Sequence, residues 1–198
     1  MLRTVLIANR GEIACRVART CRRLGLRTVA VYSAADADAR HVAEADEALL
    51  IGPPPVADSY GNAAAILDAA RRAGADAIHP GFGFLSENAD FARACQDAGV
   101  LFIGPDPDAI AAMGNKRAAK LLMAERGVPI LPGYSGADQS DATLLREADR
   151  IGAPLMIKAS AGGGGVGMRL VRDPDDLPAA LASVRREAQA AFGSAEVI

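Results

Sequence analysis

Five short apolar runs, each followed by a polar or helix-like stretch, constrain this chain more than any other feature. They are TVLIA (4–8), RTVAVY (27–32), EALLIG (47–52), ADAIH (75–79) and VLFIG (100–104). Runs of this length suit strands and are too short for ordinary helices. Their largely apolar character suits strands covered on both faces. Between them lie helical patterns. From Glu12 to Leu24 the apolar positions Ile13, Val17, Cys21 and Leu24 recur at helical spacing, and Gly25 ends the helix. Residues 59–73 predict a second helix with Ile66, Leu67 and Ala70 inward, and Ser86 reads as the N-cap of a third ending near Gly99. Strands alternating with helices predict an α/β domain built on a doubly wound parallel sheet, over residues 1–112.

A second, α+β unit occupies residues 113–198. Its predicted elements are a helix from Lys116 to Arg126, an extended GVPILPG segment (127–133) and a helix over 142–151. A strand PLMIK (154–158), a glycine loop and a strand MRLVRD (168–173) follow. DPDDL then opens a helix with acids in its first turn, where the helix dipole favours them. The chain stops at SAEVI, inside what reads as a strand.

Composition narrows the function classes. Aromatics are 4% and Trp is absent, so the core is built from Ala, Leu, Ile and Val. The net charge of -2, with no long basic run, leaves no electrostatic footprint for nucleic acid. Cys15, Cys21 and Cys95 have no CxxC spacing and read as reduced thiols. The first apolar run is too short for a signal peptide or a bilayer span. These readings predict a soluble, cytoplasmic chain with no membrane partner.

Chemistry concentrates in KASAGGGGVGMR (158–169). Residues 162–167 satisfy G-x-G-x-x-G, but the dinucleotide motif needs a helix to follow, and here MRLV is a strand. A phosphate-binding P-loop is excluded because Gly167 precedes Met-Arg and not Lys-Ser/Thr. What remains is a glycine-rich tip joining two antiparallel strands. Such a tip offers main-chain N–H groups to phosphates because no Cβ blocks their approach. Alternation along PLMIK puts Met156 and Lys158 on one face, which suits a nucleotide with its base on Met156 and phosphate near Lys158. A flexible hairpin with an ordinary surface lysine is the alternative, disfavoured because flexible loops mix Gly with Ser.

Only Lys116, Lys120 and Lys158 are lysines among 22 basic residues. In an arginine-biased chain, a retained lysine suggests need of a compact point charge. Lys116 starts a helix, where a cation faces the positive dipole end and costs about 0.3–1 kcal/mol unless an anion is near. Lys120, one turn on, reads as a solvated lysine. The HPGFGFLSEN loop (79–88) leaves the carboxyl end of a strand, where ligands sit in open α/β sheets. His79, Gly81, Phe82, Gly83 and Glu87 are its site candidates. A local hydrogen bond also accounts for His79, packing for Phe82 and Phe84, and capping for Glu87.

Together, IANRGEIACRV, IHPGFGFLSEN, FIGP, MGNK and KASAGGGGVGMR resemble the N-terminal part of biotin carboxylase. That module serves acetyl-, propionyl- and methylcrotonyl-CoA carboxylases and pyruvate carboxylase, and the resemblance runs in order over nearly the whole chain. It implies a Rossmann-like pre-ATP-grasp domain (1–112) and the start of an ATP-grasp domain (113–198). It further implies that MgATP activates bicarbonate as carboxyphosphate, and that N1 of biotin on a carrier domain is carboxylated. A carboxyltransferase is the onward partner. Under it, Lys116 and Lys158 resemble ATP-phosphate ligands, Gly164 and Gly165 the lid, and Met156 and Met168 the adenine lining. The 79–88 loop borders the active site, with Phe82 where Tyr is usual and Glu87 facing the reaction centre. Val166 stands where the family lid usually has Lys or Arg, and Asn115 where Asp is common.

In the family the Mg ligands, bicarbonate-binding cation and catalytic base lie beyond this stretch. The expectation is therefore no metal ligand here, no catalytic residue besides the candidate Glu87, and no turnover by the stretch alone. Two rivals remain: another ATP-grasp ligase of the carbamoyl-phosphate-synthetase kind, which NRGEIA and HPGFGFLSEN disfavour, and a non-catalytic fragment acting only in assembly. Arg16, Arg19 and Arg23 share one side of the first helix, which suits either a homodimer contact or a solvated face.

Overall fold

The strand β1 (Thr4–Ile7) is central to a five-stranded parallel sheet ordered β3-β2-β1-β4-β5. The other strands are β2 (Arg27–Ser33), β3 (Glu47–Gly52), β4 (Ala77–His79) and β5 (Leu101–Phe102). The computed structural model describes residues 2–161 and 165–198, and the chain divides into two compact units, Met1–Ala111 and Ala112–Ile198. Gly164 of the expected lid lies outside the described residues.

Alternation along β1 explains the double winding. Val5 and Ile7 are buried with Ala14, Val17, Ala18 and Cys21 of α1 (Gly11–Arg23). Leu6 belongs to the other cluster, with Ile66 of α3 (Ala63–Ala73) and Phe91 of α4 (Ala89–Asp97). Each buried Val, Leu or Ile contributes about 1.5–3 kcal/mol of transfer free energy, so a one-residue slip of β1 is strongly disfavoured. A short helix α2 (Arg40–Glu44) precedes β3, and α5 (Pro107–Gly114) follows β5; neither has a clear periodic signal.

Two helix starts differ from expectation. The segment 59–73 becomes helical only at Ala63, after Asn62, whose side chain accepts from the Ala65 amide at 3.1 Å. The third helix is capped by Asn88 and not Ser86: Asn88 Oδ1 accepts from the Phe91 amide at 2.8 Å. Leu85 is buried in the core, and turns from Ser86 to Gly83 and from Asn88 to Leu85 take up the intervening residues. Glu87 therefore precedes the cap, and the capping account of its charge falls.

In the second unit, β6 (Leu155–Lys158) and β7 (Met168–Val171) pair antiparallel, with Lys158 opposite Met168 and Met156 opposite Leu170. Residues 196–198 line the other edge: Lys158 N–H donates to the Ile198 carbonyl at 2.9 Å, and Ile198 N–H returns to Lys158 at 2.8 Å. Ile157 and Val171 face inward and cluster with Leu144 of α7 (Asp141–Ile151) and with Leu177, Leu181 and Val184 of α8 (Leu177–Phe192). The segment 127–133 forms no regular strand. Among the described residues no helix is long and apolar enough to cross a membrane, and all three cysteines are buried and free.

Candidate functional site

The hairpin collects the nucleotide candidates on one face. Because Ile157 and Val171 turn into the core, strand alternation sends Met156, Lys158, Met168 and Leu170 the other way. Met156 and Met168 are 40% and 41% exposed, leaving apolar surface for a flat ligand. Met156 and Lys158 line a pocket of about 380 Å³ with Leu131, Tyr134 and Ile198. Arg169, the other cation of the hairpin, lies on the opposite face and bonds Ser183 and Glu187 at 3.2 and 2.6 Å. Lys158 is thus the hairpin cation left to the pocket.

Below the tip, the Ala159 amide donates to the Gly167 carbonyl at 2.7 Å. Gly167 has φ +67°, and a Cβ there would lie 2.9 Å from Ala159 Cβ, so both backbone and space require glycine. Gly165 has φ +81°, and Val166 is half-exposed.

Lys116 opens α6 (Lys116–Glu125), and its amide donates to the Ser160 carbonyl at 3.0 Å. The side chain of Asn115 caps the helix by accepting from the Ala118 amide, and it also accepts from Ser160 Oγ, both at 3.0 Å. The single amide oxygen of Asn115 thus accepts both bonds, which an aspartate carboxylate could also do. These bonds fasten the start of α6 to the chain just beyond Lys158. Sequence reasoning set Lys120 aside, yet it lines the same pocket as Lys158. Burial first, and the Lys158 charge second, push its ammonium pKa down.

In the first unit, the loops after successive strands converge at the carboxyl edge of the sheet. Arg10 follows β1, Asp36 follows β2, Tyr60 follows β3 and Phe84 follows β4. Asp36 accepts from Ser33 Oγ and Tyr60 Oη, each at 2.7 Å, and from Arg10 at 3.3 Å. Burial raises its pKa, but the three hydrogen bonds outweigh that and hold the carboxyl below its ordinary value. Burial and then the Asp36 bond push the Tyr60 phenol up to about 12. Phe84 has φ +44°, strained for an aromatic residue, and its ring stacks on Tyr60 at 5.2 Å with Arg10 over both rings.

Asn9 holds the rest of the 79–88 loop, donating to the carbonyls of Pro80 (2.8 Å) and Phe82 (2.9 Å). Gly81 has φ +68°, and a Cβ there would meet Asn9 Nδ2 at 2.5 Å. His79 Nδ1 accepts from the Gly81 amide at 3.0 Å, and burial, then the Arg16 charge, lower its pKa. Phe84 packs the loop down, but Phe82 is 68% exposed beside a pocket of about 400 Å³ that Gly83 and Glu12 also line. Glu87 is exposed and makes no side-chain bond among the described residues. Among those residues no group of three or more His, Cys, Asp or Glu is placed to hold a metal.

The family described as biotin carboxylase, N-terminal domain, matches residues 1–110. The carbamoyl-phosphate synthase L chain, ATP binding domain, matches residues 115–198. The chain is 58% identical over 189 residues to the mitochondrial methylcrotonoyl-CoA carboxylase subunit alpha of Glycine max, covering 96% of this chain and 26% of that protein. Among solved structures, the biotin carboxylase-beta-gamma-ATP complex of Campylobacter jejuni is similar with a TM-score of 0.95 and 44% identity, over 100% of this chain and 44% of that one. The biotin carboxylase domain dimer of Hydrogenobacter thermophilus 2-oxoglutarate carboxylase, in complex with MgADP, ADP and bicarbonate, gives 0.94 and 48%, over 100% and 43%. The chain thus spans between a quarter and less than half of the length of these proteins.

Proposed function

The chain belongs to the biotin carboxylase family, and from that premise we propose that it grips the phosphates of ATP for an enzyme that carboxylates biotin with bicarbonate. One observation carries this reading: Lys158 shares a pocket and a strand face with Met156, while the neighbouring Arg169 is held away by Glu187. An apolar wall beside an ammonium suits a base and a phosphate. Lys116 and Lys158 are assigned to the phosphates, and Met156 and Met168 to the adenine. Gly164 and Gly165 are assigned to the closing tip, where main-chain amides supply the donors and Val166 adds no charge. Residues 1–112 and 113–198 are assigned as the pre-ATP-grasp domain and the start of the ATP-grasp domain.

The 79–88 loop is assigned to the border of the reaction site, presenting Phe82, Gly83 and Glu87. Gly81 sets the turn, and His79 orients it by accepting the Gly81 amide at Nδ1, which occupies that lone pair, so general-base work is not given to His79. Mg²⁺ is proposed as the companion of ATP, with no carboxylate cluster among the described residues to hold it. A biotin carboxyl carrier domain, a carboxyltransferase and a second copy of the enzyme are the proposed partners. The proposed compartment is the cytoplasm, supported by three unpaired thiols.

The test uses an enzyme of the relatives' full length that begins with these 198 residues. Its ATP hydrolysis should require bicarbonate and rise with free biotin. Bicarbonate-dependent hydrolysis that is indifferent to biotin would favour the carbamoyl-phosphate-synthetase-like reading, which the match over residues 115–198 keeps in view. The 198-residue chain alone should bind nucleotide without turnover; measurable biotin carboxylation by it would overturn that assignment.

A further inference from the structure

All three lysines of the chain lie between residues 116 and 158, and the fold gathers them at one strand end. The Lys116 amide is bonded to Ser160, two residues past Lys158. Lys120 and Lys158 line one pocket whose other side chains are apolar apart from the Tyr134 hydroxyl. That hydroxyl donates to the Asp138 carbonyl at 2.9 Å. Among the described residues neither Lys120 nor Lys158 has a carboxylate partner, whereas Arg117, Arg150, Arg169 and Arg185 of the same unit all have one.

A merely solvated Lys120 would extend its head away from the apolar wall and from a like charge. Lys120 instead lines the pocket with Lys158 and stays within reach of its charge. Its Nζ lies so close to Gly133 that a Cβ there would come within 2.5 Å. Two half-buried ammonium groups facing one space, with no acid between them, repel each other and are poorly solvated. A multiply charged anion with several oxygens relieves both costs.

We propose that Lys120 is a second ammonium ligand, beside Lys158, for the polyphosphate of the bound nucleotide. The inference rests on the assignment of Lys158 to phosphate. It extends that assignment to a residue one turn into α6, and so widens the anion site from the strand to the helix.

The scarcity of lysine makes the test direct. The chain is acetylated with acetic anhydride, and the rate at each lysine is read by mass spectrometry with tripolyphosphate, ATP, adenosine or no addition. Tripolyphosphate and ATP should slow both Lys120 and Lys158 at least about fivefold, and adenosine should slow neither. Protection of Lys158 without Lys120 overturns this inference and leaves the phosphate reading intact. Protection of neither overturns both, and protection of Lys120 by adenosine alone assigns it to the base side. Independently, Lys120→Met should weaken tripolyphosphate binding about tenfold and Lys120→Arg should largely restore it. Wild-type affinity in a folded Lys120→Met chain would refute the role.

Discussion

Replacing Tyr60 by Phe tests the anchor that seats the 79–88 loop. The ring is fully buried and its stack on Phe84 survives, so the change isolates the hydroxyl. Two bonds are lost: donation to Asp36 at 2.7 Å and acceptance from the Ser33 amide at 3.2 Å. A bond to a charged group contributes about 1.5–3 kcal/mol, and an orphaned buried amide costs about 1–3. Asp36 keeps 20% side-chain exposure, so water recovers part of this, and a net loss of about 2 kcal/mol is expected. With a urea slope of about 2 kcal/mol/M, the midpoint followed by circular dichroism should fall about 1 M at unchanged slope. A cycle with Asp36→Asn should return a coupling of about 1 kcal/mol. The sign against pH is fixed by the depressed Asp36 pKa. Its contribution is full above the ordinary carboxylate value of 3.8 and is lost as pH falls through the folded value. The Tyr60→Phe deficit should shrink in that acid range. A midpoint shift below about 0.2 M, or zero coupling, would refute the reasoning.

Two further perturbations follow from the same unit. His41 is buried, with Nε2 3.2 Å from the Val31 carbonyl and Nδ1 unpartnered, and burial lowers its pKa. The folded state therefore favours neutral His41: stability is full above the ordinary pKa of 6.5 and falls as pH drops through it, by up to about 1.4 kcal/mol per unit. His41→Gln should flatten the dependence of Tm on pH between about 5 and 7, and an unchanged slope would contradict the assignment. Gly81→Ala combines φ +68° with a Cβ 2.5 Å from Asn9 Nδ2, so urea unfolding should show a loss of about 2–4 kcal/mol, and a loss within about 0.5 would contradict the strained turn.

Local pattern carried the sheet well: largely apolar runs with helical stretches between them have few other solutions, and β1 to β5 coincide with those runs, β2 extending one residue further to Ser33. Helix starts were less legible, because Ser86 and Asn88 are both good caps. Burial of Leu85 chooses between them, and that is a tertiary event. The helix α5 carried one usable sign, Asp106 before Pro107, and Asp106 does accept from the Asp108 amide at 2.9 Å. The pairing of Met156 with Lys158 was readable from strand alternation. Met168 joins that face because register sets it opposite Lys158, and no single strand's alternation reveals register. Arg10, Asp36, Tyr60 and Phe84 were invisible as a group, since only the strand order gathers residues 24 to 26 positions apart. Lys120 was missed for a similar reason: nothing near it in sequence announces Gly133.

The most direct test of the nucleotide site is calorimetric. ATP and adenosine are titrated into the chain and into its Lys116→Ala and Lys158→Ala variants. Each substitution should weaken ATP about 10- to 100-fold, the equivalent of one charge-assisted bond, while adenosine affinity stays level. ATP affinity unmoved by either change, or adenosine falling in step with ATP, would contradict the phosphate role of these lysines.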